Sequence, residues 1–94
     1  MLTFAFARSF EKSLKRLHSQ EKVTLKRQLD SFMLAIALHQ IPTGFGLKKL
    51  SLNLWEFRTD IAIRVLFHWR KETVTFLFVG NHNEVGRFLK HYLS

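Results

Sequence analysis

The spacing of apolar residues changes sharply in the middle of this chain, and that change limits what it can fold into. From Phe10 to "QIPTGFG" (residues 40–46) the apolar positions recur at helical intervals; from there to Gly80 they alternate or run together, as in strands. Phe10, Leu14 and Leu17 predict a helix through "FEKSLKRLHS", with Lys12, Lys15 and Arg16 toward water. Leu25, Leu29, Phe32, Met33 and Ile36 form the stripe of a second helix over residues 19–40. The two make an antiparallel pair with a break near Ser19-Gln20. Pro42 stops the second helix, and Gly44 and Gly46 loosen the chain beyond it. Ahead of both helices "LTFAFA" (residues 2–7) reads as a short strand, with Ser9 as the helix cap.

Downstream, "LKKLSLNLWEFR", "IAIRVLFHWR" and "TVTFLFVG" predict three consecutive antiparallel strands. Thr59-Asp60 and Lys71-Glu72 are short enough to be their hairpin turns. Val85, Phe88, Leu89 and Tyr92 mark a final helix, capped by Asn83 with Glu84 in its first turn. The predicted order is β-α-α-β-β-β-α, an α+β domain with helices packed on a curved sheet. At 94 residues the chain is expected to form one domain, residues 1–94.

Fifteen Lys and Arg against seven Asp and Glu leave a net charge of +8, which favours a polyanionic partner. Cysteine is absent, so there is neither a disulfide nor a thiolate metal site, and a reducing cytoplasm is expected. No apolar run reaches the length of a membrane span. "MLTFAFARSF" has no basic leader or cleavage site, so it reads as a strand and not a signal.

Within the strand "IAIRVLFHWR", Ile61, Ile63, Val65, Phe67 and Trp69 form one wholly apolar face, expected to lie against the helices. Arg64, His68 and Arg70 point the other way with Ala62 and Leu66. Such cations either meet an anionic ligand or merely form the solvated face of a basic protein. On this parity, Arg64→Ala should leave the fold intact. Glu56 and Arg58 share a face of "SLNLWEFR"; Glu56 is either an acid–base carboxylate or the partner of a neighbouring arginine. Lys48 and Lys49 either hold phosphates as point charges or are simply solvated.

His82 leaves a strand and precedes a helix. A free imidazole titrates near ~6.5, which suits proton transfer at neutral pH. The backbone N–H groups after it could help to hold an anion. The competing reading is a turn histidine bonded to Asn81 or Asn83. The five histidines show no metal-ligand spacing, and no HExxH, P-loop, dinucleotide-binding or zinc-finger motif is present, so no metal or cofactor is expected.

The succession "LKKL", "LWEFR", "IRVLF", "FVGNH" resembles the RelE/ParE superfamily of bacterial type II toxin–antitoxin modules, over essentially the whole chain. Arg64 in "IRVLF" matches the strand arginine of that family, and His82 in "GNH" the strand-end histidine of several branches. The resemblance implies a compact α+β domain with a twisted antiparallel sheet. It also implies a toxin, foremost a metal-independent mRNA endonuclease that blocks translation. The alternatives are a ParE-like gyrase inhibitor that acts by binding, or a nuclease that acts on DNA.

Carried over by position, Arg64 would clamp the phosphate and His82 would be general acid or base. Lys48 and Lys49 would hold RNA and stabilise the reacting group, and Arg58, His68, Arg70 and Arg87 would bind substrate. Tyr92 would offer an aromatic contact. The implied partners are an acidic antitoxin encoded next door and RNA, on or off the ribosome; operator DNA is reached only through the antitoxin complex. Two departures stand out. Phe45-Gly46 occupies the place of a carboxylate found in some branches, and Gly86 that of an aromatic found in others.

Overall fold

A computed structural model describes residues 1–40 and 44–94. The elements are β1 (Thr3–Phe6), α1 (Arg8–Leu14), α2 (Ser19–Ala37), β2 (Lys48–Ser51), β3 (Leu54–Arg58), β4 (Arg64–Arg70), β5 (Thr73–Gly80) and α3 (His82–Tyr92). The α+β class and the order of helices and strands agree with the sequence pattern. One stretch divides further: "LKKLSLNLWEFR" is a hairpin and not a single strand. Asn53 takes a left-handed φ of 66°, and Ser51 pairs with Leu54 across the turn. Asparagine tolerates that conformation better than most residues.

The five strands form one sheet in the order β1-β5-β4-β3-β2. It is mixed and not antiparallel, because β1 runs parallel to β5, with Thr3 opposite Thr73 and Phe6 opposite Phe76. Alternation of side chains is the same in parallel and antiparallel strands, so the pattern of "LTFAFA" could not distinguish them. The connection expected at Thr59-Asp60 is longer. Asp60 Oδ1 accepts from the backbone N–H of Ala62 (2.7 Å) and Ile63 (2.8 Å), which delays β4 to Arg64 and leaves Ile61 93% exposed instead of in the core.

The helix boundaries shift for identifiable reasons. Ala7, not Ser9, is the N-cap of α1, and Ser9 lies inside the helix. His18 caps α2, so the break between α1 and α2 falls before Ser19. At the other end of α2, His39 N–H donates to Ile36 O and Gln40 N–H to Ala35 O, both at 2.9 Å, with His39 at φ 58°. This paired closure, with a left-handed residue just past the end, stops the helix without a proline. Pro42 lies outside the described residues. Asn81, not Asn83, caps α3: its side chain accepts from Glu84 N–H, while Glu84 accepts from Asn81 N–H.

Two cores result, one on each side of the sheet. Beneath α1 and α2 lie Phe57, Ile63, Val65, Phe67, Val74, Phe76 and Val79, packed on Phe10, Leu25, Leu29 and Phe32. Phe32 is fully buried and stacks on Phe57 with ring centroids 4.1 Å apart. Beneath α3 a smaller core joins Leu54, Leu66, Leu77 and Val85. The face of β4 expected to be solvated is therefore covered in part, and Leu66 is fully buried. Among the described residues no helix is long and apolar enough to cross a membrane.

A bulge supplies the second core. Leu66 pairs with Phe78, yet its neighbour Phe67 pairs with Phe76, so Leu77 is an extra residue in β5. A bulge interrupts the ladder and reverses the side-chain parity beyond it. Two serines one turn apart on α1 bind the backbone at this point. Ser9 Oγ donates to Leu77 O, and Ser13 Oγ accepts from Val79 N–H at 3.0 Å. Ser13 is buried. Ser13→Ala should therefore cost about 1–3 kcal/mol, the range for a buried N–H left without a partner. Urea denaturation would measure it, and an unchanged midpoint would show that the serine is dispensable.

Candidate functional site

Residues opposite one another on paired strands share a face of the sheet. On the α3 side, one row runs Lys48–Glu56–Leu66–Phe78, and the next runs Arg58–Arg64–Gly80. Lys48, Glu56, Arg58 and Arg64 are thus gathered in two adjacent rows across β2, β3 and β4. The next row on the other side is Leu54–His68–Thr75.

Arg64 and Glu56 form the one ion pair among the described residues with both side chains largely buried. Arg64 Nη1 lies 3.4 Å from Glu56 Oε1 and 3.3 Å from Oε2, with the side chains 19% and 7% exposed. Glu56 therefore pairs with an arginine, as one of its two readings foresaw; the partner is Arg64, eight residues away, and not its strand neighbour Arg58. Arg58 is exposed, and its side chain lies along Gly46: a Cβ on that glycine would stand 3.4 Å from Arg58 Nε.

His82 follows the end of β5 closely. Gly80 is opposite Arg64, Asn81 caps α3, and His82 is its first residue. Leu89, two helical turns further along and so on the same side of α3, packs on the second core. His82 thus stands at the outer end of the helix flank that meets the sheet, with its side chain exposed. The Asn81 carboxamide oxygen serves Glu84 N–H and not the imidazole. The geometry depends on Gly80, where a Cβ would come within 2.8 Å of Glu84 Oε1 and 3.0 Å of Phe78 Cε2.

Other candidates are dispersed. Lys49 is paired with Trp55, on the α1–α2 side of the sheet, with its Nζ 5.7 Å from the centroid of that ring. The two adjacent lysines therefore do not converge, because neighbours on a strand point to opposite faces. His68 lies four residues along β4 from Arg64, about 13 Å, and Arg70 lies beyond it at the exposed end. Arg87 is exposed on α3. Tyr92 is ten residues past His82, about 15 Å along the helix. It closes a stack in which Phe78 and Phe88 are 4.7 Å apart and Phe88 and Tyr92 5.6 Å apart.

A groove of about 610 Å³ lies between α1, α2 and β1 and is lined by Phe6, Phe10, Leu14, Leu25, Leu29 and Met33, together with Lys15, Lys22 and Lys26. None of the clustered cations lines it, so the size of a concavity does not locate this site. Sequence reasoning did not anticipate the roles of Ser9, Ser13 and Leu77, which set the register that brings Gly80 opposite Arg64. No local signal marks a bulge inside "TVTFLFVG".

No protein-family model and no curated protein matches this sequence. Solved structures do. The chain is similar to a metal-bound toxin from Helicobacter pylori, with a TM-score of 0.73 and 21% identity over 90% of this chain and 99% of that one. It is similar to a chain of the E. coli DinJ-YafQ complex, with a TM-score of 0.72 and 12% identity over 90% and 98% of the two chains. A chain of the RelB-RelE antitoxin-toxin complex from Methanococcus jannaschii gives 0.68 and 17% over 89% and 96%. At these identities the likeness is one of fold: the chain has the RelE-like fold over nearly its whole length.

Proposed function

We propose that this chain is the toxin of a type II toxin–antitoxin pair, of the RelE/ParE superfamily, and that it is a metal-independent endoribonuclease acting on mRNA. The observation that carries this reading is the gathering of Lys48, Arg58 and Arg64 on one sheet face, with His82 beginning α3 two residues beyond Gly80, the strand partner of Arg64. The RelE-like fold supports it, and one of the similar structures is an antitoxin–toxin complex.

RNA carries its own nucleophile. The 2′-hydroxyl oxygen attacks the adjacent phosphorus and forms a new P–O bond as the bond to the 5′-oxygen breaks. One proton leaves the 2′-oxygen and one arrives at the 5′-oxygen. The products are a 2′,3′-cyclic phosphate and a 5′-hydroxyl. The protein must supply fixed positive charge where negative charge develops on phosphate, and proton transfer. Arg64 serves the first need, Lys48 and Arg58 hold the flanking backbone, and His82 carries the proton transfer. A DNA strand lacks the 2′-hydroxyl, so the same residues would not cut it.

Induced expression in a bacterium should arrest growth, with transcripts cut at defined positions and plasmid supercoiling unchanged. Intact transcripts together with altered supercoiling would replace the nuclease with a gyrase inhibitor. The product of the adjacent gene should relieve the arrest. With a net charge of +8 on the toxin, its association with an acidic antitoxin should slow markedly as salt rises. A stopped-flow rate independent of ionic strength would refute the electrostatic part.

A further inference from the structure

We infer that Glu56 is a positioning residue: by holding Arg64 through Nη1 alone, it leaves the Nε–Nη2 edge of the guanidinium unpaired, as a two-donor seat for a phosphate. The inference rests on the nuclease reading above and deepens it. Three observations carry it.

First, the ion pair is not the fork-to-fork arrangement that arginine and carboxylate commonly adopt. A single nitrogen, Nη1, contacts both carboxylate oxygens, at 3.4 and 3.3 Å. The side edge of the guanidinium, which carries Nε–H and one Nη2–H, is left over. That edge matches two oxygens of a phosphate, a recognition that lysine cannot reproduce. Second, Arg64 Nε is enclosed and has no hydrogen-bond partner among the described residues. Buried donors in folded proteins are nearly always paired, so an orphan beside a cationic surface points to a missing acceptor. Because Nε is enclosed in this conformation, the seat forms when the guanidinium turns about its contact with Glu56 to meet an incoming oxygen. Third, Glu56 is anchored where it can act as a pivot. It is 5% exposed, in the middle of β3, between Lys48 on β2 and Leu66 on β4.

Two readouts test this on the full chain. In the first, ¹⁵N-labelled protein is titrated with inorganic phosphate while the Arg64 Nε–H resonance is monitored. It should move saturably in the native protein and in Glu56→Gln, whose carboxamide oxygen can still accept from Nη1, and should fail to saturate in Glu56→Ala. In the second, RNA cleavage per folded molecule is measured. Misplacing a reacting group costs roughly 10–100-fold, so Glu56→Ala should lose about that much in kcat. Its KM should change by less than about threefold, because Lys48 and Arg58 still hold the backbone. Glu56→Gln should recover most of the loss.

If Glu56→Ala does not fold, Arg64→Lys replaces it. It keeps a positive charge opposite Glu56, so it should fold, but it has no two-donor edge and should lose cleavage. A phosphate-insensitive Nε–H in the native protein, an unchanged kcat in folded Glu56→Ala, or full activity in Arg64→Lys would each overturn the assignment. If the native protein cuts no RNA, the nuclease reading falls, and the phosphate titration still decides the geometry of Arg64.

Discussion

Replacing Arg64 by alanine should destabilise the fold by about 3 kcal/mol, the lower end of the cost of removing one partner of a buried ion pair. Strand parity alone predicts the reverse, since Arg64 lies off the apolar face that meets α1 and α2. The structure corrects this. Glu56 is buried, and Arg64 is its ion-pair partner, so the substitution strands a carboxylate beneath α3's side of the sheet. Urea denaturation should show the loss as a lower midpoint. The double variant Arg64→Ala/Glu56→Leu should regain most of it, because an apolar side chain of similar size removes the stranded charge. If the single variant unfolds at the midpoint of the native protein, the pair contributes nothing and the prediction fails. The practical consequence is that a loss of toxicity in Arg64→Ala does not by itself identify a catalytic arginine; Arg64→Lys is the cleaner probe.

His82→Gln should lower the single-turnover cleavage rate by roughly 10²–10⁴-fold, the usual worth of a placed proton-transfer group. Stability should hardly change. The imidazole is exposed, and the α3 cap is formed by Asn81 and Glu84 without it. Binding of an uncleavable 2′-deoxy analogue should be nearly unaffected, since glutamine keeps similar size and hydrogen-bonding capacity. Rates within about threefold of each other would make His82 a surface residue of the first helical turn. Proton transfer would then have to be sought elsewhere on the same face.

The helix stripes of α1 and α2, the apolar alternation of β4 and β5, and the amphipathic final helix were legible in the sequence, because each is a periodicity within one element. So was the pairing of Glu56 with some arginine, and the exit of His82 from a strand into a helix. Relations between elements were decided only by the tertiary structure. The parallel seat of β1 depends on its meeting β5, some seventy residues later, and either direction satisfies the same alternation. Whether Lys48 and Lys49 act together depends on β2 being a strand edge that sends them to opposite faces. The choice of Arg64 over Arg58 as the partner of Glu56 depends on how β3 registers against β4. The largest effect comes from Leu77. One unpaired residue, held by Ser9 and Ser13 of a distant helix, turns Leu77 and Phe78 to the α3 side and Gly80 opposite Arg64. A period-2 pattern carries no record of such a residue. The bulge is stable because α1 satisfies the backbone groups it frees, and that contact exists only once the chain has folded.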